Sequence, residues 1–269
     1  MSEAADAVRA RGAMTRPEGS ISPLLILGRA LLLLAILALW EAFARAGVFP
    51  AAFIGQPSVF LPLLARKIAD GSIFPPIVDT LLATLIAFVL GGILALLSAL
   101  LLTVVPALRQ LAEPYLDALN SLPRVALVPL FIVWFGLGLT SKVVSGISLM
   151  YFILLYSTLA GAQSVDPDHR LLARSLGLPG AKIFAQIVIP TAVPAIFAGL
   201  RLGLVYTLLG VVTAELIAGG KGLGSLVSYY SNTFDANGVF VVLLVLVIIS
   251  SILSNAMSRI ERRLTFWQR

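Results

Sequence analysis

The sequence predicts an all-α polytopic membrane protein with about six transmembrane helices. Of the 269 residues, 59% are hydrophobic and only 12% are charged, whereas soluble domains average about 45–50% apolar and about 25% charged residues. Six segments approach the roughly 20 mostly apolar residues that a membrane-spanning helix needs. The chain has no cysteine and a single histidine, His169, so thiolate ligands are excluded and a histidine metal site is not expected.

The polar residues 1–20 are predicted to be a mobile segment. The apolar run from Leu24 is too long for the core of a signal peptide and is interpreted as a retained first span. Residues 21–258 are predicted to form the transmembrane domain and residues 259–269 a basic tail. The predicted spans are Leu24–Ala44, Thr80–Val105, Leu111–Phe135, Val143–Gln163, Pro190–Ile217 and Val239–Ser258.

The charges of the loops predict the orientation. Eleven lysine and arginine residues lie on the side of both chain ends, and four lie on the other side, namely Arg66, Lys67, Lys142 and Lys221. Because loops that remain in the cytoplasm carry the excess of positive charge, both termini are predicted to be cytoplasmic.

The connection between the first two spans contains an amphipathic segment near residues 56–70. Its apolar side chains, Val59, Phe60, Leu63, Leu64 and Ile68, recur near helical spacing, and Arg66 and Lys67 lie off that stripe. The pattern fits a helix in the membrane interface, and a packed connector fits it equally well.

The third span is predicted to break in its middle. Pro123 removes a backbone donor and disfavours helix at Leu122, and Pro129 is expected to repeat the disruption. Irregular backbone at membrane depth is tolerated where it is buried in protein or lines a water-filled cavity. Asn120, Ser121 and Arg124 are therefore candidates to line a solute pathway, and the alternative is a simple packing kink.

The fifth span carries two charges fourteen residues apart. Arg201 is expected in its inner half, in a structural role in which it snorkels or holds a neighbouring span. Glu215 is expected at the outer end, where it would join a gate or contact a partner. Tyr206 and Thr213 lie between them and could offer hydrogen bonds to a passing solute.

The loop of residues 165–182 differs from the rest of the chain. Asp166 is a good N-cap, Pro167 suits the first helical position and Asp168 complements the helix start. Gly177 suits a left-handed C-terminal cap, and Pro179 prevents continuation. A short helix, a tight turn and a second helix near Gly180 form a shape for docking, or alternatively an ordinary interfacial connector.

This loop resembles the cytoplasmic motif of bacterial ATP-binding-cassette (ABC) importer permeases, Glu-Ala-Ala, three residues, Gly, nine residues, Ile-x-Leu-Pro. Ala173, Gly177, Ile187 and Pro190 fall on the motif, whereas Leu171 and Leu172 replace Glu-Ala and Ile189 replaces leucine. The stretches GQPSVF, DGSIFPPIVDTL, NSLPRVALVPLFIVWFGLGLTSK and AELIAGGKGLGSLV resemble the nitrate, sulfonate, taurine and bicarbonate subgroup.

The resemblance implies a type I ABC importer permease fold with a cytoplasmic coupling helix, in the inner (plasma) membrane of a bacterium. It implies a dimeric pore, two ABC ATPase subunits that carry ATP and Mg²⁺, a solute-binding protein outside, and no catalysis by this chain. The residues implied to couple to the ATPase are Asp166, Asp168, Arg170, Leu171, Leu172, Ala173, Arg174, Gly177 and Lys182.

The same residues bear on other possible functions. GGKGLGS fails as a phosphate-binding loop, because Glu215 occupies the first glycine position and Gly222 follows Lys221. The basic end is typical of an anchor beside a membrane span and not of nucleic-acid binding. A self-contained secondary transporter and a membrane-embedded enzyme stay as competitors, although neither a clear internal repeat nor a catalytic cluster is visible.

Overall fold

The computed structural model describes residues 23–47 and 51–264. These residues form helices joined by short turns, with no β-strand among them, which confirms the all-α prediction. Five of the helices are long and apolar enough to cross a membrane, and a bent pair makes a sixth candidate span. The predicted mobile segment 1–20 and the last five residues of the predicted basic tail lie outside the described residues.

The chain divides into two units, residues 1–49 and 50–269. The first unit contains one described helix, α1 (Pro23–Arg45), which agrees with the first predicted span. Near its end the Arg45 guanidinium donates to the Glu41 carboxylate at 2.7 Å. A basic residue in the last turn also complements the negative end of the helix.

The second unit contains the remaining helices. In chain order they are α2 (Ala51–Ile54), α3 (Pro57–Ala69), α4 (Phe74–Val104), α5 (Pro106–Asn120), a 3₁₀ turn (Arg124–Leu127), α6 (Val128–Phe135), α7 (Leu139–Gln163), α8 (Pro167–Ser175), α9 (Gly180–Ile183), a π-helical turn (Phe184–Val188), α10 (Ile189–Ala218), α11 (Leu223–Asn232) and α12 (Ala236–Leu264).

The core of the second unit is the packing of α7 against both α4 and α10. Small residues allow these helices to approach closely. A Cβ on Gly210 of α10 would lie 2.7 Å from the Ser145 carbonyl oxygen of α7, so any larger residue there would push the helices apart. Buried Ala87, Met150 and Val211 fill the same helix contacts.

The third span is broken where it is predicted to break. α5 ends at Asn120, and the segment from Arg124 to Phe135 is inclined to it by 80°. The predicted second disruption at Pro129 is wrong, because Pro129 lies in the first turn of α6, where a missing N–H removes no helical hydrogen bond. α5 also begins at Pro106, earlier than the sequence predicted.

The fifth span begins earlier than predicted and the last ends later. α9, the π-helical turn and α10 run without interruption from Gly180 to Ala218, and Pro190 lies in the first turn of α10. α12 continues to Leu264, so Arg259, Arg262 and Arg263 lie on a helix and not in a separate tail.

The predicted amphipathic segment forms α3, which packs on α12. Phe60 and Leu64 are buried, and the Phe60 ring stacks on Phe240 with 5.8 Å between ring centroids. Val59 and Ile68 remain exposed. The structure therefore buries part of the predicted apolar stripe against a neighbouring helix.

Candidate functional site

The loop between α7 and α10 forms the capped helix that the sequence predicts. The Asp166 carboxylate accepts a hydrogen bond from the Asp168 N–H at 2.9 Å, and Pro167 occupies the first turn of α8. At the other end the Gly177 N–H donates to the Arg174 carbonyl and the Leu178 N–H donates to the Ala173 carbonyl. This pair of hydrogen bonds is a Schellman motif, and it explains why Gly177 has a φ of +76°.

Apolar side chains are exposed on α8 and at its C-terminal cap. Leu171, Leu172 and Leu176 are 65%, 59% and 71% exposed, and together they are called the leucine surface. Beside it lies an open groove of about 500 Å³ between α8 and the start of α10. Leu172, Ala173, Leu176, Leu178, Ile187 and Pro190 line the groove, together with His169, Gln186 and Thr191.

Charged side chains surround the leucine surface. Asp166, Asp168, Arg174 and Lys182 are exposed in and beside α8, and within the described part of the chain none of them forms an ion pair shorter than 4 Å. Arg170 lies in the middle of α8. Ala173, which lies next to Leu172 and lines the same groove, is buried.

The break in the third span brings Asn120 and Arg124 together. One terminal nitrogen of the Arg124 guanidinium donates to the Asn120 carbonyl at 2.9 Å and also to the Asn120 side-chain oxygen. The guanidinium carbon lies 4.4 Å from the centroid of the Phe152 ring of α7, within the range of a cation–π contact. The Ser121 hydroxyl donates to the Asp117 carbonyl at 2.9 Å.

Two residues near this break were missed by the sequence reasoning. The Tyr156 hydroxyl of α7 donates to the Asp117 carboxylate of α5 at 2.5 Å. A cavity of about 310 Å³ lies in the same region, and Arg109, Glu113, Tyr156 and Gln163 are its polar lining residues. The spacing of Arg109, Glu113 and Asp117, four residues apart on one helix face, was the available signal.

Tyr206 and Thr213 lie on α10, which packs against α6 as well as α7. Tyr206 is exposed. The Thr213 hydroxyl donates to the Leu209 carbonyl of its own helix at 2.7 Å. This hydroxyl can therefore only accept a hydrogen bond from a solute. The hydrogen bonds that Asn120, Ser121, Arg124 and Thr213 form in the described chain do not join α10 to the break, and their shared pathway stays a prediction.

Glu215 is enclosed at the end of α10 and not open to solvent. Its exposed fraction is 0%, and its carboxylate accepts hydrogen bonds from Lys142 Nζ at 3.0 Å, Thr80 Oγ1 at 2.8 Å and the Gly224 N–H at 2.9 Å. A partner protein therefore cannot touch this carboxylate in the present conformation, and a role as a gate stays a prediction. Sequence reasoning missed Thr80 and Lys142, and it assigned Lys142 to a loop.

Arg201 forms an ion pair with a neighbouring helix, and its predicted structural role stays a prediction. Its guanidinium lies 3.3 Å from the Glu261 carboxylate of α12. The described residues contain no group of three or more His, Asp or Glu side chains that could hold a metal ion.

Comparison with known proteins gives a consistent result. Residues 87–266 match the family described as "Binding-protein-dependent transport system inner membrane component". The riboflavin transport system permease protein RibX of Chloroflexus aurantiacus is 31% identical over 90% of this chain and 90% of its own length. The taurine transport system permease protein TauC of Escherichia coli is 27% identical over 86% of each chain.

Solved structures show the same fold at lower sequence identity. An inward-facing structure of the MetNI methionine ABC transporter aligns with a TM-score of 0.63 and 20% identity, over 72% of this chain and 96% of that chain. An amino acid ABC transporter solved with histidines aligns with a TM-score of 0.62 and 21% identity, over 76% of this chain and 98% of that chain.

Proposed function

Because the chain belongs to the binding-protein-dependent transport system inner membrane component family and is an ABC importer permease subunit, we propose that two copies of it form the pathway for a small anionic solute. The solute would be delivered by an extracytoplasmic binding protein, and two separate ATPase subunits would bind ATP and Mg²⁺ and drive transport. The family is one of transport permeases and not of catalytic enzymes, which argues against the embedded enzyme. Its transport systems depend on a binding protein, which argues against a self-contained secondary transporter.

The observation that carries the coupling part of this proposal is the leucine surface. Three exposed leucines lie on one capped helix outside the apolar spans. Exposed apolar side chains grouped in this way mark an interaction site. The Asp166 cap and the Gly177 turn hold the helix at both ends, so the surface would keep its shape while it docks. We assign it to the ATPase contact.

The charges around the leucine surface favour a protein partner over a lipid surface. Surfaces that bind anionic lipids are strongly basic. The loop mixes two acidic residues, Asp166 and Asp168, with three basic ones, Arg170, Arg174 and Lys182, and this excess of a single positive charge supplies little net attraction for headgroups. An apolar centre inside a polar rim is the usual anatomy of a protein interface. Leu171, which stands where the family motif has glutamate, makes that centre more apolar.

The pathway is assigned to the break in the third span and to the exposed side of α10. Asn120, Ser121 and Arg124 lie where the backbone leaves the helix, and Tyr206 and Thr213 lie on α10. Asn120 and Phe152 already restrain the Arg124 guanidinium. The side chain would therefore lose little conformational entropy when it binds a solute. A positive charge held in this way suits an anion.

The solute class rests on the relatives and on Arg124. Taurine and aliphatic sulfonates are in the names of two relatives, TauC of Escherichia coli and SsuC of Bacillus subtilis. RibX, which is named for riboflavin, has a higher sequence identity to this chain than either of them. A neutral organic solute is therefore the second candidate, and a binding protein that takes riboflavin-like rings in preference to sulfonates would favour it.

The chain is a multi-pass membrane protein, and we place both of its termini and the leucine surface in the cytoplasm. Placement in a bacterial inner membrane follows from the family description. The bias of lysine and arginine toward the loops of one side supports the orientation.

The test is copurification of the tagged chain from membranes of its own host. We expect an ATPase subunit to be retained in about 0.15 M salt and also in about 1 M salt, because shortening the Debye length from about 8 to about 3 Å weakens charge contacts but not apolar ones. Leu172→Asp should reduce retention at least about tenfold, since burying one unpaired charge exceeds about 1.4 kcal/mol.

Leu137→Asp is the matched control. Leu137 is as exposed as the leucine surface but precedes α7, whereas the leucine surface follows it. Absence of any ATPase subunit from the wild-type preparation would contradict the proposed function. Equal loss in both variants would contradict only the assignment of the contact to the leucine surface.

A further inference from the structure

The most enclosed charged cluster of the described chain lies where α10 meets α11. Glu215 of α10 and Lys142 of α7 form an ion pair at 3.0 Å, with side chains 0% and 9% exposed. Thr80 of α4 donates to the same carboxylate. Three long helices therefore meet at one carboxylate, although the three residues are far apart in the sequence.

The turn between α10 and α11 is bound to this cluster through its backbone. Lys142 Nζ also donates to the Lys221 carbonyl at 2.6 Å. The Leu223 N–H donates to Thr80 Oγ1 at 2.8 Å, and the Gly224 N–H donates to the Glu215 carboxylate at 2.9 Å. Each of the three cluster residues thus holds a different backbone group of the turn.

The turn is tightly packed on one side and open on the other. A Cβ on Gly222 would lie 2.0 Å from a Glu215 carboxylate oxygen, and Gly222 has a φ of +109°, so only glycine fits against the cluster. A Cβ on Gly219 or Gly220 would meet no atom of the described chain within 4 Å. On that open side lies a cavity of about 390 Å³, lined in part by Asp79, Gly219, Gly220 and Lys221.

The energetics of the cluster favour two states, closed or fully open. A buried carboxylate and a buried ammonium are tolerable together, whereas either one alone is strongly unfavourable in an apolar environment. Movement of the turn leaves the Lys142–Glu215 pair in place, but it takes the Lys221 carbonyl from the buried ammonium and the Gly224 N–H from the buried carboxylate. The turn should therefore stay bound until water or another group can replace all of the contacts together.

We propose that Thr80, Lys142 and Glu215 form a latch that holds residues 219–224 and α11 closed against α4 and α7. When the latch opens, the turn pivots at Gly219 and Gly220 into the adjoining cavity and carries the start of α11 with it. Lys142 and Thr80 are positioning residues, because they act on the turn and not on a solute. This inference concerns the end of α10 that the charge bias places outside the cell, and it does not depend on which solute is carried.

A latch and a purely structural ion pair lead to different results. If the pair only stabilises the helix bundle, changes that keep the bundle folded should leave the turn closed. If it is a latch, the bundle should stay folded while the turn becomes accessible. Two sets of changes avoid leaving a buried charge alone, namely Thr80→Val and the double variant Lys142→Met with Glu215→Gln.

The experiment uses Leu223→Cys in the otherwise cysteine-free chain, purified in detergent. Leu223 is fully buried at the start of α11, directly after the turn, and its backbone N–H contact to Thr80 survives the substitution. We expect slow reaction with a water-soluble thiol reagent in the parent, and at least about tenfold faster reaction in each latch variant. Glu261→Gln is the matched control, because it breaks an ion pair at another place in the helix bundle and should leave the rate unchanged.

Helical content and thermal melting are measured on each variant. Faster labelling in folded latch variants, with an unchanged rate in Glu261→Gln, supports the latch. Unchanged rates in both latch variants would overturn it, and so would fast labelling in the parent, since the turn would then not be held. Unfolding of both latch variants would also overturn it, because the cluster would then serve the bundle itself. None of these outcomes depends on an ATPase subunit, so failure here leaves the proposed function untouched.

Discussion

Gly177 is the single residue on which the shape of the proposed coupling loop depends most directly. Its φ of +76° is in the left-handed region, which costs a residue with a Cβ about 1–2 kcal/mol. A Cβ there would meet no atom of the described residues within 4 Å. The requirement for glycine is therefore a matter of backbone conformation and not of space.

Because space is available at Gly177, a substitution there tests the backbone conformation alone. We expect Gly177→Ala to shift or fray the end of α8 and to uncouple ATP hydrolysis from transport, with a stability loss of about 1 kcal/mol. Gly180→Ala is the control, because Gly180 also has open space around it but does not have a positive φ. The ratio of ATP hydrolysed to solute transported in reconstituted vesicles is the measurement. Equal coupling in both variants would contradict the role of the turn.

Loss of the Arg201 charge is expected to lower the stability of the protein only slightly. Arg201 and Glu261 side chains are 44% and 22% exposed, and partly exposed ion pairs contribute about 0–1 kcal/mol. We expect Arg201→Ala and Glu261→Gln each to lower thermal stability slightly, with a coupling energy below about 1 kcal/mol in a double-mutant cycle. A coupling energy of several kcal/mol, or loss of assembly, would show that the pair is essential.

Single residues also show which contacts could be predicted from the sequence and which could not. The cap at Asp166 and the turn at Gly177 were predictable, because each depends on neighbours within a few residues. The partners of Glu215 and Arg201 lie at residues 80, 142 and 261, and no local pattern connects such positions. A lysine and a glutamate beside apolar spans were visible, but only the packing of α4, α7 and α10 joins them.

At the level of helices, the apolar runs located every span, and the structure moved their ends for physical reasons. α4 starts at Phe74 and not at Thr80, because Pro75 and Pro76 fall in the first turn where proline is tolerated. α7 starts at Leu139 and not at Val143, because pairing with Glu215 allows Lys142 inside a helix. The end of a span is thus set partly by contacts that the local sequence does not contain.

The broken third span is the element that most directly tests the pathway. Asn120 and Ser121 are at the end of α5, immediately before the chain turns by 80°. In a cysteine-free chain, we expect Asn120→Cys or Ser121→Cys to react with a water-soluble thiol reagent, because irregular backbone at membrane depth requires water or protein partners.

Two further cysteine variants serve as the negative and the positive control for that experiment. Met150→Cys lies in the buried core and should stay unreactive, and Leu137→Cys is highly exposed outside the leucine surface and should react readily. Labelling is measured without nucleotide and with ATP, since a pathway opens in turn to each side of the membrane. Protection of both Asn120→Cys and Ser121→Cys in every state would remove the break from the pathway.

At the level of the whole molecule, the orientation in the membrane decides whether the leucine surface can reach an ATPase at all. α7 has 25 residues, a length of about 37 Å, which exceeds the roughly 30 Å of a bilayer core. Leu137 precedes this helix and Leu176 follows it, and both are highly exposed. The two leucines must therefore lie on opposite sides of the membrane if α7 spans it.

The distribution of lysine and arginine predicts which side each leucine occupies. In membranes that contain the chain without its ATPase subunit, we expect Leu137→Cys to react with a membrane-impermeant thiol reagent in intact spheroplasts, and Leu176→Cys to react only in inverted vesicles. Reagent added after permeabilisation should label both, which controls for the reactivity of the two thiols. The reverse pattern would place the leucine surface outside the cell, away from ATP. The latch at the end of α10 would then face the cytoplasm, because α10 follows α8 across the same membrane.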